Sequence, residues 1–139
     1  MSTRAVFTFS DPETKGRPLL VYKHHDGYPS GAIHDLMRAR DSGLSWQLPR
    51  FEADEFAAAF VAANKTQGGG VRLLGSGDWS RLAPSDVEFA YHVTQFDSGH
   101  INVVGFEVEP VGPDGVLVAV SRVLSPTRLR DLSLLSLTA

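Results

Sequence analysis

The fold is decided by residues 19–31, Leu-Leu-Val-Tyr-Lys-His-His-Asp-Gly-Tyr-Pro-Ser-Gly, in a chain of 139 residues. Residues 19–22 are bulky and apolar, which favours a β-strand, and the Gly-Tyr-Pro sequence further along is typical of a turn. After Pro29, Ser30 is the predicted N-cap of a helix whose apolar residues recur at helical spacing and which ends near Gly43. The stretch therefore predicts a strand, a turn and a helix, with two histidines and an aspartate between the strand and the turn.

The segments on either side show strand and helix patterns. Residues 4–9 favour a strand, and we expect this strand to pair with residues 19–22 as a hairpin. Residues 52–64 predict a second helix, because their apolar side chains recur at helical spacing and acids lie in the first turn, where the helix dipole favours them. Residues 87–93 alternate apolar and polar side chains, which is typical of a strand. The remaining expectations are a strand at 71–74, a polar loop at 75–85, a hairpin turn at 97–99, a β-bulge or a strand buried on both faces near Gly105, a central strand at 116–120 and a short helix from Ser125 to about residue 132.

This order of elements, ββααββββα, predicts one α+β domain over residues 1–132. We expect an antiparallel sheet of about five to six strands, with two helices packed on one of its faces. A chain of this length can bury roughly two thirds of its unfolded surface, so it needs no disulfide or metal to fold. Residues 133–139 form an apolar tail, which is expected either to dock on a partner subunit or to be disordered.

Composition excludes several classes of function. The chain has no cysteine, which rules out a disulfide scaffold, a thiolate zinc site and thiol catalysis. Its formal net charge is -3 and no run of basic residues could follow a phosphate backbone, so general nucleic-acid binding is disfavoured. No signal peptide is visible at the N-terminus, and no apolar run is long enough to span a membrane. We therefore expect a cytoplasmic protein.

The two histidines and the aspartate at residues 24–26 are the first candidate site. Alternate residues of a strand share a face, so His24 and Asp26 are expected to point the same way. Such a pair can supply metal ligands, or a base with the carboxylate that orients it. A third ligand would come from His34, His92 or His100. The alternative is structural, because aspartate before glycine is good turn chemistry and a histidine at a strand end often binds a carbonyl.

The turn itself is a second candidate. The N–H groups of Gly31 and Ala32, at the start of the predicted helix, would suit an anion such as a phosphate or a carboxylate. Nearby positive charge would come from Lys23, Arg4 or Arg17. The alternative is an ordinary strand-to-helix turn. The glycines at residues 68–70 are interpreted as a hinge, since a phosphate loop needs the order strand, loop, helix and a Gly-Lys-Ser/Thr ending.

Three stretches of the chain form a distinctive set: Thr3-Arg4, the motif Tyr-x-His-x-Asp-Gly-Tyr-Pro-x-Gly at residues 22–31, and Asp-Val-Glu-Phe-Ala-Tyr at residues 86–91. Together they resemble the sequences of a family of small proteins of bacteriophages and prophages. Phe89 replaces a tyrosine that is usual in that family, and His25 stands where an aromatic residue such as tryptophan is common. The resemblance implies a phage accessory protein acting in the bacterial cytoplasm, in host takeover or in countering host defence.

The function that we expect first is non-enzymatic binding of a host protein or of a small, anionic, nucleotide-like ligand, without a cofactor. The expected ligand-binding residues are Arg4, Tyr22, His24, Asp26 and Tyr28. Arg4 would lie beside Tyr22 and His24 if the first two strands pair, and would supply the charge for an anion. One alternative is a metal-dependent hydrolase or nuclease that uses His24, Asp26 and one of His34, His92 or His100; the metal set that we expect first is His24, Asp26 and His92. Another is a structural homo-oligomer, built through the apolar C-terminus and the β-rich second half.

Overall fold

The computed structural model describes residues 2–97 and 100–129, apart from the side chains of residues 96, 97, 126 and 127. Within this part of the chain, six strands form one sheet. The strands are β1 (Ala5–Phe9), β2 (Leu19–Lys23), β3 (Val71–Ser76), β4 (Phe89–Asp97), β5 (His100–Val111) and β6 (Val116–Arg128). The helices are α1 (Pro29–Asp41), α2 (Ala53–Asn64) and the short α3 (Trp79–Leu82). None of these helices is both long and apolar enough to cross a membrane.

The sheet has the strand order β3-β2-β1-β4-β5-β6. β1 and β2 pair as the predicted antiparallel hairpin, with Ala5 opposite Lys23. β1 and β4 run parallel, so the sheet is mixed and the expectation of a wholly antiparallel sheet is corrected at this pairing. The other pairings are antiparallel. A side-chain pattern identifies a strand but carries no information on the direction of its neighbour, which here depends on the long connection through α1, α2 and β3. The α+β class with two helices on one face is confirmed.

Each face of the sheet carries its own hydrophobic core. The larger core lies between the sheet and helices α1 and α2, and it is centred on aromatic rings: Phe7 lies 4.6 Å from Phe60 and 5.2 Å from Tyr91, between ring centroids. The smaller core covers the opposite face, where Trp79 packs against a cluster that includes Val6 and Leu20. Trp79 begins α3, within the stretch predicted to be loop. The helix forms there because the carboxylate of its N-cap residue, Asp78, accepts the Ser80 N–H at 3.0 Å.

The two long helices begin and end close to the predicted residues. α1 begins at Pro29 with Tyr28 as its N-cap, so the prediction that Ser30 is the N-cap is wrong; Pro29 already has the backbone geometry of the first turn. The chain turns away after Asp41 through Gly43, as predicted. α2 begins one residue after Glu52, and its first N–H group, that of Ala53, donates to the Asp11 carboxylate at 2.7 Å.

The predicted irregularity near Gly105 is confirmed, because the pairing of β5 with β6 shifts on both sides of this residue. A Cβ atom at Gly105 would lie 2.8 Å from the ring of Tyr91. The absence of a side chain at Gly105 therefore leaves room for the buried ring of Tyr91, and the bulge lies where the backbone of β5 approaches that ring.

Two predictions for the last strand are wrong. β6 is an edge strand and not a central one, and Val118 and Val120 are 37% and 47% exposed. A continuous apolar run therefore did not mean burial on both faces. The helix predicted from Ser125 does not begin there, because β6 continues to Arg128, which pairs with Asn102. A proline is tolerated on an edge strand, so pairing with β5 outweighs the local helix signal. The rest of that predicted helix and the tail at residues 133–139 lie outside the described residues.

Candidate functional site

A rigid corner joins the end of β2 to the start of α1. The N–H of Gly27 donates to the carbonyl oxygen of Thr3 at 2.8 Å, and the buried hydroxyl of Tyr91 donates to the carbonyl oxygen of Gly27 at 2.6 Å. The N–H of His24 donates to the carbonyl oxygen of Gly70 at 2.9 Å. The corner is therefore attached to the N-terminal segment, to β4 and to the turn before β3, and these attachments hold the backbone of residues 24–28 in place.

The corner is too crowded for most side chains. Asp26 has a left-handed backbone conformation, with φ of 58°, which is uncommon for any residue except glycine and tolerated best by asparagine and aspartate. The first turn of α1 passes directly beneath it: a Cβ atom at Gly31 would collide with the backbone carbonyl oxygen of Asp26. The aspartate and the glycine of the motif are therefore explained by backbone geometry.

Replacing Tyr91 by phenylalanine tests how much the corner depends on its buried hydrogen bond. Burial raises the pKa of the Tyr91 hydroxyl, so it remains a donor to Gly27. Without it, a buried carbonyl loses its partner, and we expect the free energy of unfolding in urea to fall by about 1–3 kcal/mol. The control is Tyr28→Phe, whose hydroxyl makes an exposed 3.3 Å hydrogen bond to Asp26; its effect should stay within about 0.5 kcal/mol. Equal effects of the two variants would contradict the structure.

The first cavity at this corner, which we call the arginine cavity, has a volume of about 560 Å³. It is lined by Tyr22, His24, His25, Arg72, Asp86 and the glycine turn at residues 68–70. The hydroxyl of Tyr22 lies 2.7 Å from Nδ1 of His24, in hydrogen-bond contact. Beside them, Nε of Arg4 lies 3.2 Å from a carboxylate oxygen of Asp86. The cavity is thus lined by a phenol, two imidazoles, one guanidinium group and one carboxylate, and the guanidinium group of Arg4 lies beside it.

The charges around the arginine cavity shift the pKa values of Tyr22 and His24. Burial raises the pKa of Tyr22, and the carboxylate of Asp86 adds to this, while Arg4 and Arg72 oppose it. Loss of solvent lowers the pKa of His24, and the positive charge of Arg4 lowers it further. Arg72 is exposed and forms no ion pair among the described residues. Two permanent positive charges therefore face one negative charge here, which favours an added anion.

The second cavity, which we call the aspartate cavity, has a volume of about 460 Å³ and lies on the helix side of the sheet. Its floor is a buried ion pair between Lys23 and Asp35, with 2.8 Å between Nζ and Oδ2. Burial raises the pKa of Asp35, although Lys23 and Arg38 oppose that shift. Lys23 also donates to the carbonyl oxygen of His25 at 2.6 Å. The other lining residues include Asp26, Tyr28, His34, Arg38, Asn64 and Gln67.

No protein-family model, no curated protein and no solved structure matches this chain. The resemblance to phage proteins therefore stays a prediction from the three stretches of sequence. In the folded chain these stretches contact one another: Thr3 binds Gly27, Arg4 pairs with Asp86, and Tyr91 binds Gly27. Most of the motif thus surrounds one corner of the fold.

The predicted ligand-binding residues divide between the two cavities. Tyr22 and His24 line the arginine cavity, and Arg4 lies beside them as expected from the pairing of β1 with β2. Asp26 and Tyr28 line the aspartate cavity and bind each other. The expectation that His24 and Asp26 share a face is not met. Strand alternation stops where β2 ends at Lys23, and the left-handed backbone at Asp26 turns its side chain to the other side.

The three residues suggested for a metal site are not brought together. His92 is hydrogen-bonded to Thr8 at 2.7 Å and packs between Trp79 and Phe106, and this burial lowers its pKa. The register places His92 three residues, roughly 10 Å, along β1 from the end of the sheet at which His24 lies. Among the described residues, no group of three or more histidine, aspartate or glutamate side chains could hold a metal ion.

Sequence reasoning missed Arg72 and gave no role to Asp35. Arg72 lies directly opposite Tyr22, which follows from the pairing of β2 with β3. Strand alternation predicts that the side chains of Arg72 and Val71 point to opposite faces of the sheet. Nothing in the sequence shows that β3 is the strand that pairs with β2 and so brings Arg72 to Tyr22. The buried pair of Asp35 with Lys23 left a weak signal, a charged residue on the apolar side of α1.

Proposed function

We propose that this protein is a non-enzymatic binding protein of phage type that holds a small, anionic, nucleotide-like ligand in the arginine cavity. One observation carries the proposal: the hydroxyl of Tyr22 contacts His24 and lies beside Arg4, and Arg72, which lies opposite Tyr22 on β3, lines the same open cavity. Guanidinium groups bind phosphate and carboxylate oxygens through paired N–H donors, and hydrogen bonds to an ionised acceptor are the strong ones. An anion in this cavity would also offset the excess positive charge.

The way in which the polar groups pair favours tight binding of a ligand. Tyr22 engages His24, Asp86 engages Arg4, and both pairs lie at the end of a sheet that is fixed by β1 and β4. Such contacts hold the side chains in place before a ligand arrives, which lowers the entropy cost of binding. In the bacterial cytoplasm, capture of such a ligand would serve host takeover or the countering of host defence.

The test is calorimetric titration with inorganic pyrophosphate, using wild-type protein and Arg72→Ala. We expect pyrophosphate to bind, and the variant to bind it roughly 10- to 100-fold more weakly, since one charge-assisted hydrogen bond contributes about 1.5–3 kcal/mol. The control is Arg81→Ala, whose side chain is exposed, pairs with Asp78 and lines neither cavity. Absence of binding, or equal effects of the two variants, would overturn the proposal.

Native mass spectrometry of the protein from a bacterial lysate is the second test. A copurified small anion is the expected result. If a host protein copurifies and pyrophosphate does not displace it, the small-ligand proposal is wrong and the partner is a protein. A stoichiometric metal would instead favour the hydrolase alternative. That alternative and the homo-oligomer both stay predictions.

A further inference from the structure

The arginine and aspartate cavities adjoin each other. His25, Gln67 and Gly70 line both of them. The ridge between the cavities is backbone, because the N–H of His24 donates to the carbonyl oxygen of Gly70 at 2.9 Å where β2 ends and β3 is about to begin. A ligand that lies across this ridge would reach both faces of the sheet, and would contact the side chains of His25 and Gln67 on its way.

The two cavities differ in charge. The arginine cavity has Arg72 in its lining and Arg4 beside it, against one aspartate, Asp86. In the aspartate cavity, Lys23 is neutralised by Asp35 at 2.8 Å, and the carboxylate of Asp26 offsets the guanidinium of Arg38. A second phosphate would gain little there. A ligand that fits both cavities therefore carries its negative charge at one end only.

The aspartate cavity offers the contacts that suit a flat, uncharged, polar ring. Its lining includes three rings, those of Tyr28, His25 and His34, and rings of this kind can stack on such a group. The carboxylate of Asp26 accepts one hydrogen bond, from Tyr28, and has capacity for more, while the side-chain amide of Gln67 can both donate and accept. Nucleobases are recognised in proteins by this combination of stacking and edge hydrogen bonds. Both cavities have volumes typical of small-molecule sites.

We propose that the two cavities bind one nucleoside monophosphate, with its phosphate in the arginine cavity, its base in the aspartate cavity and its sugar on the ridge at His25 and Gly70. This inference rests on the proposed function, and it adds which part of the ligand each cavity takes. Asp26 and Tyr28 are then the residues that recognise the base. Arg72 recognises the phosphate and is indifferent to the base.

The experiment compares inorganic phosphate, the four common nucleoside 5′-monophosphates and their nucleosides by calorimetric titration. We expect at least one monophosphate to bind 10-fold or more tightly than inorganic phosphate. Asp26→Asn should remove most of that advantage without weakening the binding of inorganic phosphate, because the change removes a negative charge near the anion. Asparagine keeps the shape of the side chain and tolerates the left-handed backbone at this position, so the variant preserves the corner. Arg72→Ala should weaken phosphate and monophosphates alike.

The outcomes separate the two proposals. If inorganic phosphate binds through Arg72 but no monophosphate binds more tightly, the anion site stands and the bipartite ligand is wrong. The same conclusion follows if Asp26→Asn and a second variant, Tyr28→Ala, change the affinities for phosphate and monophosphate equally. If neither phosphate, pyrophosphate nor any monophosphate binds, both proposals fail together.

Discussion

Replacing Gly31 by alanine is expected to lower the free energy of unfolding by about 3 kcal/mol, the upper end of the usual range for overpacking. The added methyl group would collide with the backbone carbonyl oxygen of Asp26. A backbone atom can move out of the way only if the corner moves as well. The corner is held on its other side by Gly27, whose N–H and carbonyl are bound by Thr3 and Tyr91.

The sign of this effect makes the test decisive. Gly31 lies in the first turn of α1, and in an unobstructed helix alanine is more stable than glycine by about 1 kcal/mol. A stabilised variant in urea unfolding would therefore contradict the geometry of the corner. The control is Gly68→Ala, where a Cβ atom would meet nothing within 4 Å. That change should stay within about 0.5 kcal/mol.

The fold could be predicted from the sequence wherever a local pattern determines the structure. The β1–β2 hairpin, the helices at α1 and α2 and the irregularity at Gly105 follow from periodicity and from the positions of glycine and proline. The parallel pairing of β1 with β4 and the place of β6 at the edge depend on long-range packing. At Ser125 the local pattern predicts a helix but long-range packing favours a strand, and strand pairing outweighs the helix signal.

The candidate site was predicted in part for the same reason. Arg4, Tyr22 and His24 lie close together because the β1–β2 hairpin brings them together, and the sequence pattern predicts this hairpin. The prediction that Asp26 shares a face with His24 is wrong, because strand alternation holds only as far as the strand, which ends at Lys23. Arg72 belongs to a strand separated from β2 by two helices, so its position depends on the strand order of the sheet.

Replacing Lys23 by methionine is the second change for which we expect a large effect. The side chains of Lys23 and Asp35 are only 9% and 7% exposed, and they lie 2.8 Å apart. Removing the lysine leaves a carboxylate buried without this counter-charge, which typically costs about 3–5 kcal/mol of stability. The control is Arg38→Met. Arg38 contacts the same carboxylate at 3.6 Å but is 58% exposed, so its loss should cost less than about 1 kcal/mol.

The pH dependence of the stability of the Lys23→Met variant tests whether the ionised carboxylate of Asp35 causes the loss. Burial already raises the pKa of Asp35, so its ionised form costs stability once the pH rises through that pKa. Without Lys23 the pKa rises further, and the deficit relative to wild type should be largest near neutral pH. It should shrink as the pH falls through the raised pKa, because a protonated carboxyl needs no counter-charge. A deficit independent of pH would point to lost packing instead.

The double variant Lys23→Met with Asp35→Leu separates the cost of breaking the pair from the net contribution of the pair. Replacing both partners of a buried ion pair by apolar residues is often neutral or stabilising, so most of the loss should be recovered. The carbonyl of His25, which loses its donor in both variants, belongs to an exposed residue and can bind water. If the double variant unfolds as easily as the single one, the ion pair itself stabilises the fold. If it recovers, the charges at the floor of the aspartate cavity are not required for folding.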